Sequence, residues 1–144
     1  MDPRGHEAAA LRLRRIGQRY TGQRRALVGI LAGADRPLSV PEIMKKDRRL
    51  AQSSAYRNLA TLERAGVVHR VVATSEFSSF ELAEDLGKHH HHVICSSCGR
   101  VEDVTLPGDL ERSAISALDR AAARAGYSVN AHRLDVIGLC SSCA

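Results

Sequence analysis

Aromatic side chains are scarce in this chain of 144 residues: Tyr20, Tyr56, Phe77, Phe80 and Tyr127 are the whole supply, and tryptophan is missing. So few rings argue against the stacking platforms that single-strand and RNA binders lay their bases on. No apolar run approaches the ~20 residues of a transmembrane helix, so no membrane partner is expected. The opening Met1-Asp2-Pro3-Arg4-Gly5-His6-Glu7 lacks the apolar core of a secretory signal, so a cytoplasmic location is expected. Cysteine is equally sparse. There are four, in two matched pairs, Cys95-x-x-Cys98 and Cys140-x-x-Cys143. In a reducing compartment such pairs favour a metal over disulfides. No paired general acid and base, and no nucleophile motif, points to an enzyme.

Charge is unevenly spread. Residues 1–75 carry 15 Lys/Arg against 6 Asp/Glu, whereas residues 76–144 carry 6 against 10. A basic half joined to an acidic half that holds the cysteines and most histidines suggests polyanion binding in one and cation binding in the other.

In the basic half, Leu11, Leu13 and Ile16 among arginines predict a short helix from Ala8 to Ile16. Thr21 can cap a second helix with Leu27, Ile30, Leu31 and Ala34 at helical spacing. Its Arg24 and Arg25 lie in the first turns and oppose the helix dipole, which suits an external anion. Asp35-Arg36-Pro37 reads as a turn, and Ser39-Val-Pro-Glu42 as a capping box opening a helix to about Lys46. Ser53 or Ser54 can cap the next helix, which buries Ala55, Leu59 and Leu62 and ends at Gly66. Its outer face presents Tyr56, Arg57, Thr61 and Arg64. The pair is a helix-turn-helix pattern. Val67–Val72 and Ser79–Leu82, around the turn-prone Thr74-Ser75-Glu76, complete a winged helix. Tyr56 and Arg57 are placed to reach base edges or phosphates in double-stranded DNA. Arg19, Arg24, Arg25 and Arg70 are expected on phosphate.

In the acidic half the four cysteines can close a tetrahedral structural zinc site, clipping the first strand of a domain to its last segment. Gly99–Val104 continues a strand, Asp109 can cap a helix to about Arg124, and Tyr127–Gly138 holds a last strand. A unit of ~55 residues has too little core to stand comfortably alone, so a homodimer with strands pairing across the interface is expected. His89, His90, His91 and His92 run directly into the first knuckle. If residues 89–95 are extended, His89 and His91 face one way and His90 and His92 the other, so the run serves two separate metal sites. Further candidate ligands are His69, Glu81, Asp103, Glu111 and His132.

These residues together resemble the ferric uptake regulator (Fur) superfamily of bacterial metal-responsive repressors, most closely its zinc uptake branch. The resemblance covers Arg12 to Cys143. It rests on Tyr56-Arg57-x-Leu59, Leu62-Glu-x-Ala-Gly66-x-Val68, Phe80-Glu81-Leu82, the histidine run before Cys95-x-x-Cys98-Gly99, and Cys140-x-x-Cys143. It implies an α+β chain: a winged helix-turn-helix DNA-binding domain (1–83), a hinge (84–88) and an α/β metal-binding dimerisation domain (89–144). It also implies a structural zinc on the four cysteines, and a regulatory site of His69, Glu81, His90 and His92 with Asp103 as a further ligand. A third site of His89, His91, Glu111 and His132 is implied as well.

The chain departs from the family where iron and peroxide sensors carry a histidine (here Arg36-Pro37-Leu38) and where zinc sensors carry a cysteine (here Ala83-Glu84-Asp85). The segment before the recognition helix, Lys45–Ala55, is short, and Ser54-Ala55 stands where Thr-Val is common. The function implied is a dimeric repressor of metal-uptake genes that binds a palindromic operator when loaded with zinc. An Fe(II)-dependent peroxide sensor, an Fe(II), Mn(II) or Ni(II) sensor, a metal store and a metal-dependent hydrolase are the alternatives.

Overall fold

Caps and breakers lay out the first half of the computed structural model, which describes residues 1–72 and 78–144. Helix α1 spans Pro3–Arg15, beginning five residues before the expected Ala8. Asp2 supplies the reason: its carboxylate accepts the Gly5 N–H at 2.8 Å, and Pro3 is pre-set for a first helical position. Helix α2, Gly22–Ala32, is capped by Thr21 as its sequence predicts. Helix α3, Val40–Lys46, carries the complete Ser39/Glu42 capping box.

Helix α4, Gln52–Arg64, starts ahead of both serines expected to cap it; Ala51 occupies the cap and makes no side-chain bond. Burial of Leu50 and Ala55 on either side of the start outweighs a cap worth ~1 kcal/mol. Leu59 and Leu62 of α4 then pack with Leu13, Leu27, Val28, Ile43, Val67 and Phe80 in one core.

Strands β2 (Val68–Val72) and β3 (Ser78–Leu82) form the expected antiparallel hairpin, with His69 opposite Glu81. The predicted turn Thr74-Ser75-Glu76 lies outside the described residues. A two-residue strand β1, Leu38–Ser39, adds to β3, giving the order β1-β3-β2. The sequence showed no alternation there because two residues are too few to display it.

Within this half Arg36 reaches Glu42 at 2.6 Å, and Ser39 donates to the same carboxylate from both N–H and hydroxyl. Burial raises the Glu42 carboxyl, but these donors outweigh it and hold the group at about 2. A carboxyl depressed in the fold stabilises above its unfolded value, and that contribution disappears as pH falls through the folded value. At a side chain one-third exposed, screening leaves about 1 kcal/mol. Glu42→Gln is therefore expected to cost about that much at pH 7 and almost nothing at pH 2. Denaturant melts across that range check the sign.

The second half contains β4 (His91–Cys95), β5 (Val101–Val104), α5 (Gly108–Arg124) and β6 (Asp135–Gly138). The sheet order is β5-β4-β6, with β5 antiparallel and β6 parallel to β4. The last strand is confined to four of the twelve residues expected to contain it. Gly126, at φ +85°, ends the helical turn after α5, and the Tyr127 N–H closes it on the Ala122 carbonyl. A second small buried cluster joins Ile94 of β4 and Val101 of β5 to Val71 of β2, so it is shared between the two halves. Helix α5 buries no residue, and Leu110, Leu118, Tyr127, Val136 and Ile137 stand exposed. Among the described residues no helix is long and apolar enough to cross a membrane.

A 3-10 turn, Glu84–Leu86, joins the halves. Its Asp85 pairs with Arg12 of α1, which also donates to the Gly66 carbonyl at the end of α4. The fold is α+β, a winged helix-turn-helix followed by a small α/β unit.

Candidate metal centres

Parallel pairing of β4 with β6 brings the two cysteine knuckles together. Cys95 ends β4 opposite Gly138, which ends β6 two residues before Cys140. Ser96 donates its backbone N–H to the Gly138 carbonyl at 2.8 Å and locks the two strand ends. The four sulfurs lie within 4.8 Å of one another, with Cys98 and Cys140 at 3.8 Å. A tetrahedron with Zn–S of ~2.3 Å has edges of ~3.8 Å, so the Cys98–Cys140 separation matches one edge and the group is of the size that holds a zinc ion. Backbone N–H groups of Cys98 and Cys140 aimed at Cys95 lower its thiol to about 6, preparing a thiolate for a cation.

The histidine run divides by face. His90 Nε2 lies 2.8 Å and His92 Nε2 3.0 Å from the same oxygen of Glu81. Asp103, opposite His92 on β5, completes a group of four donor atoms within 4.8 Å of one another. Each outer nitrogen is anchored: His90 Nδ1 donates to the Lys88 carbonyl at 2.6 Å and His92 Nδ1 to Asp135 at 2.9 Å. Carbonyl and carboxylate only accept, so Nδ1 carries a proton; Nε2 faces Glu81, donates to it while the ring is protonated, and is the nitrogen whose lone pair meets a cation once that proton leaves. Asp103 Oδ1 is buried with no hydrogen-bond partner among the described residues. Burial raises the Asp103 carboxyl. Burial also disfavours the charged forms of Glu81, His90 and His92, yet their mutual hydrogen bonds prevail, lowering Glu81 and raising both histidines. Two inward imidazoles and two carboxylates, one of them with an orphaned oxygen, are the donor set of a divalent cation.

On the opposite face Glu111 of α5 receives His89 and His91, each at 2.7 Å, and His132 at 2.9 Å. His91 first, then His89 and His132, hold its carboxyl at about 2. Glu84 of the 3-10 turn takes the outer nitrogen of His89.

His69 stands apart from both groups. It is opposite Glu81 in register but exposed, and its charge acts on Asp85, which Arg12 chiefly and His69 slightly hold below the usual carboxylate range. Of the two further candidates, Asp103 joins the group, because β5 pairs with β4 and sets it beside His92, whereas His69 on β2 stays outside it. Two contributors were not legible in the sequence. Asp135 was hidden because its role depends on parallel pairing, and Glu84 because a 3-10 turn has no hydrophobic period.

In the winged half, Tyr56, Arg57 and Arg64 of α4 are exposed, as are Arg19, Arg25 and Arg70. Arg25 lies over Tyr20, and Arg70 over Phe80 with a bond to Glu63. Arg24 differs from expectation. Its guanidinium is spent on Asn58, the Arg19 carbonyl and Gln18, which makes it a strut between α2 and α4.

The model of the ferric uptake regulator family matches residues 15–137. The chain belongs to that family. Among characterised Fur-family relatives, the peroxide operon regulator of Bacillus subtilis (strain 168) is 27% identical over 137 residues, covering 92% of this chain and 88% of its own. The Helicobacter pylori ferric uptake regulator, whose structure is described as having three functional metal binding sites, superposes with a TM-score of 0.68. It is 25% identical and covers 96% of this chain and 93% of its own. A zinc-bound manganese uptake regulator superposes with a TM-score of 0.59 at 26% identity, over 94% and 98% of the two chains.

Proposed function

We propose that this Fur-family chain is a zinc-responsive repressor of metal-uptake genes that binds a palindromic operator as a dimer. The observation that carries the metal dependence is the origin of the inner donors: Glu81 comes from β3 of the wing, and His90, His92 and Asp103 come from the second half. Gathering these four around one ion fixes the wing against the α/β unit, and with it the angle at which α4 is presented. The ion supplies the positive charge that lets two carboxylates share this space. Four donors of imidazole and carboxylate type suit tetrahedral zinc.

The exposed apolar side chains Leu110, Leu118, Tyr127, Val136 and Ile137 support dimerisation, and the exposed arginines on and near α4 support binding to phosphate. The three donor groups also match in number the sites described for the Helicobacter pylori protein.

A titration of the chain on its own promoter DNA against buffered free Zn(II), Fe(II), Mn(II) and Ni(II) tests this. Operator affinity is expected to rise with free Zn(II), and its log–log salt slope to be roughly −0.9 per phosphate neutralised. Affinity independent of both metal and salt would reject the reading. Asp103 in the inner group, together with the peroxide regulators among the relatives, supports a second reading, an Fe(II)-dependent peroxide sensor. It predicts an added oxygen on His90 or His92 by mass spectrometry after peroxide treatment of the Fe(II)-loaded chain.

A further inference from the structure

We propose that Asp135 is a positioning residue for the hinge metal, holding the outer nitrogen of His92 and strengthening its inner one as a ligand. This rests on the reading of Glu81, His90, His92 and Asp103 as a metal site. Asp135 is not one of the four converging donors. It stands behind them.

The sheet itself makes the arrangement. His92 lies on the central strand, and its cross-strand partners are Asp103 on β5 and Asp135 on β6. Directly opposite residues share a face, so the three side chains form one row. Asp103 is turned toward the inner nitrogen of His92, at 4.0 Å, while Asp135 accepts from Nδ1 at 2.9 Å. The His92 side chain is only 5% exposed, so water is a poor substitute for that acceptor. Removing the carboxylate would leave a buried N–H unpaired.

The two inner histidines are held differently. His90 leans on the Lys88 carbonyl, a neutral backbone group, whereas His92 leans on a carboxylate. A carboxylate accepting from Nδ1–H pushes electron density through the ring and makes Nε2 the stronger donor. Partners of this kind typically contribute 10–100-fold in metal affinity. The geometry therefore makes His92 the dominant imidazole of the site, with Asp135 as the cause. Arg133, 3.7 Å from the other Asp135 oxygen, is the cation nearest to compete for it.

The test uses the full chain with zinc retained on the four cysteines and with His132→Ala to silence the opposite histidine group. Zn(II) affinity of the hinge is measured by competition with a chromophoric chelator, and Co(II) absorption reports the coordination. Asp135→Asn keeps an acceptor oxygen but loses the charge. It is expected to weaken Zn(II) about 10–100-fold, with one ion still bound, an unchanged Co(II) band pattern and an unchanged unfolding midpoint. Asp135→Glu is expected to recover part of the loss, and His92→Ala to mark the full loss.

An Asp135→Asn affinity within about twofold of the parent overturns the proposal. So does a pattern in which only Asp135→Ala loses affinity and does so together with stability, because that makes Asp135 a structural residue of β6. The functional reading fails separately, if the parent binds Zn(II) at the hinge and gains no operator affinity. The Asp135 effect would still be read from the metal affinities.

Discussion

Replacing Cys98 or Cys140 by serine, or stripping zinc with a strong chelator, is expected to unfold residues 89–144 and leave the winged half folded. The two halves differ greatly in what holds them. The winged half buries a continuous core from Ala9 to Phe80. The second half contributes Ile94 and Val101 to a small cluster completed by Val71 of the wing, and its own helix buries nothing in a single chain. Only β4 joins β5 to β6, and the β4–β6 ladder spans four residue pairs. Structural zinc in small domains contributes ~10–16 kcal/mol of apparent binding free energy, more than this sheet can replace. A serine hydroxyl stays protonated at neutral pH and is a poor substitute for thiolate. Hydrogen exchange gives the readout: amides of His92 to Ser96 should lose protection while those of α2 and α4 keep theirs. Equal protection in both halves after zinc removal would show that the cysteine group is dispensable for folding.

His92→Ala is expected to remove the metal-dependent part of operator affinity, a loss of about 5–150-fold at saturating zinc if the coupling is of the usual 1–3 kcal/mol. His90→Ala should fall in the same range. These imidazoles supply half the donors and both meet Glu81, so either loss unties the wing from the sheet. His69→Ala is the matched control, since its side chain lies outside the group, and its metal affinity should stay within about twofold of the parent. Fluorescence anisotropy on operator DNA, with and without zinc, measures both. A His92→Ala chain that still gains affinity on adding zinc would place the sensing metal elsewhere.

Much of this could be read in the sequence because local chemistry decided it. Thr21, Ser39 and Glu42 announced their helices by capping, and the Ala55, Leu59 and Leu62 spacing marked the buried face of α4. Strand alternation separated His89 and His91 from His90 and His92 before any contact was known. What stayed hidden depended on partners distant in the chain. Asp135 acquires its position beside His92 from the order β5-β4-β6, and the same order brings Asp103, already a candidate ligand, into the inner group. His69 was eligible through the family resemblance; the hairpin sets it opposite Glu81, yet its exposed side chain lies outside the group of donors. Arg24 read as a phosphate contact because its acceptors Gln18, Asn58 and the Arg19 carbonyl meet only after α2 and α4 have packed.

Four identical side chains in a row contain no information about their own alignment. If β4 slid by one residue, a histidine would still occupy most of the ligand positions, but the inner and outer groups would exchange members. His91 and His92 are therefore told apart by their neighbours toward the C-terminus: Ile94 seated in the core and Cys95 in the thiolate cluster. The cysteine group is in that sense a ruler as well as a clasp. By fixing where the strand ends, it decides which histidines face Glu81 and which face Glu111.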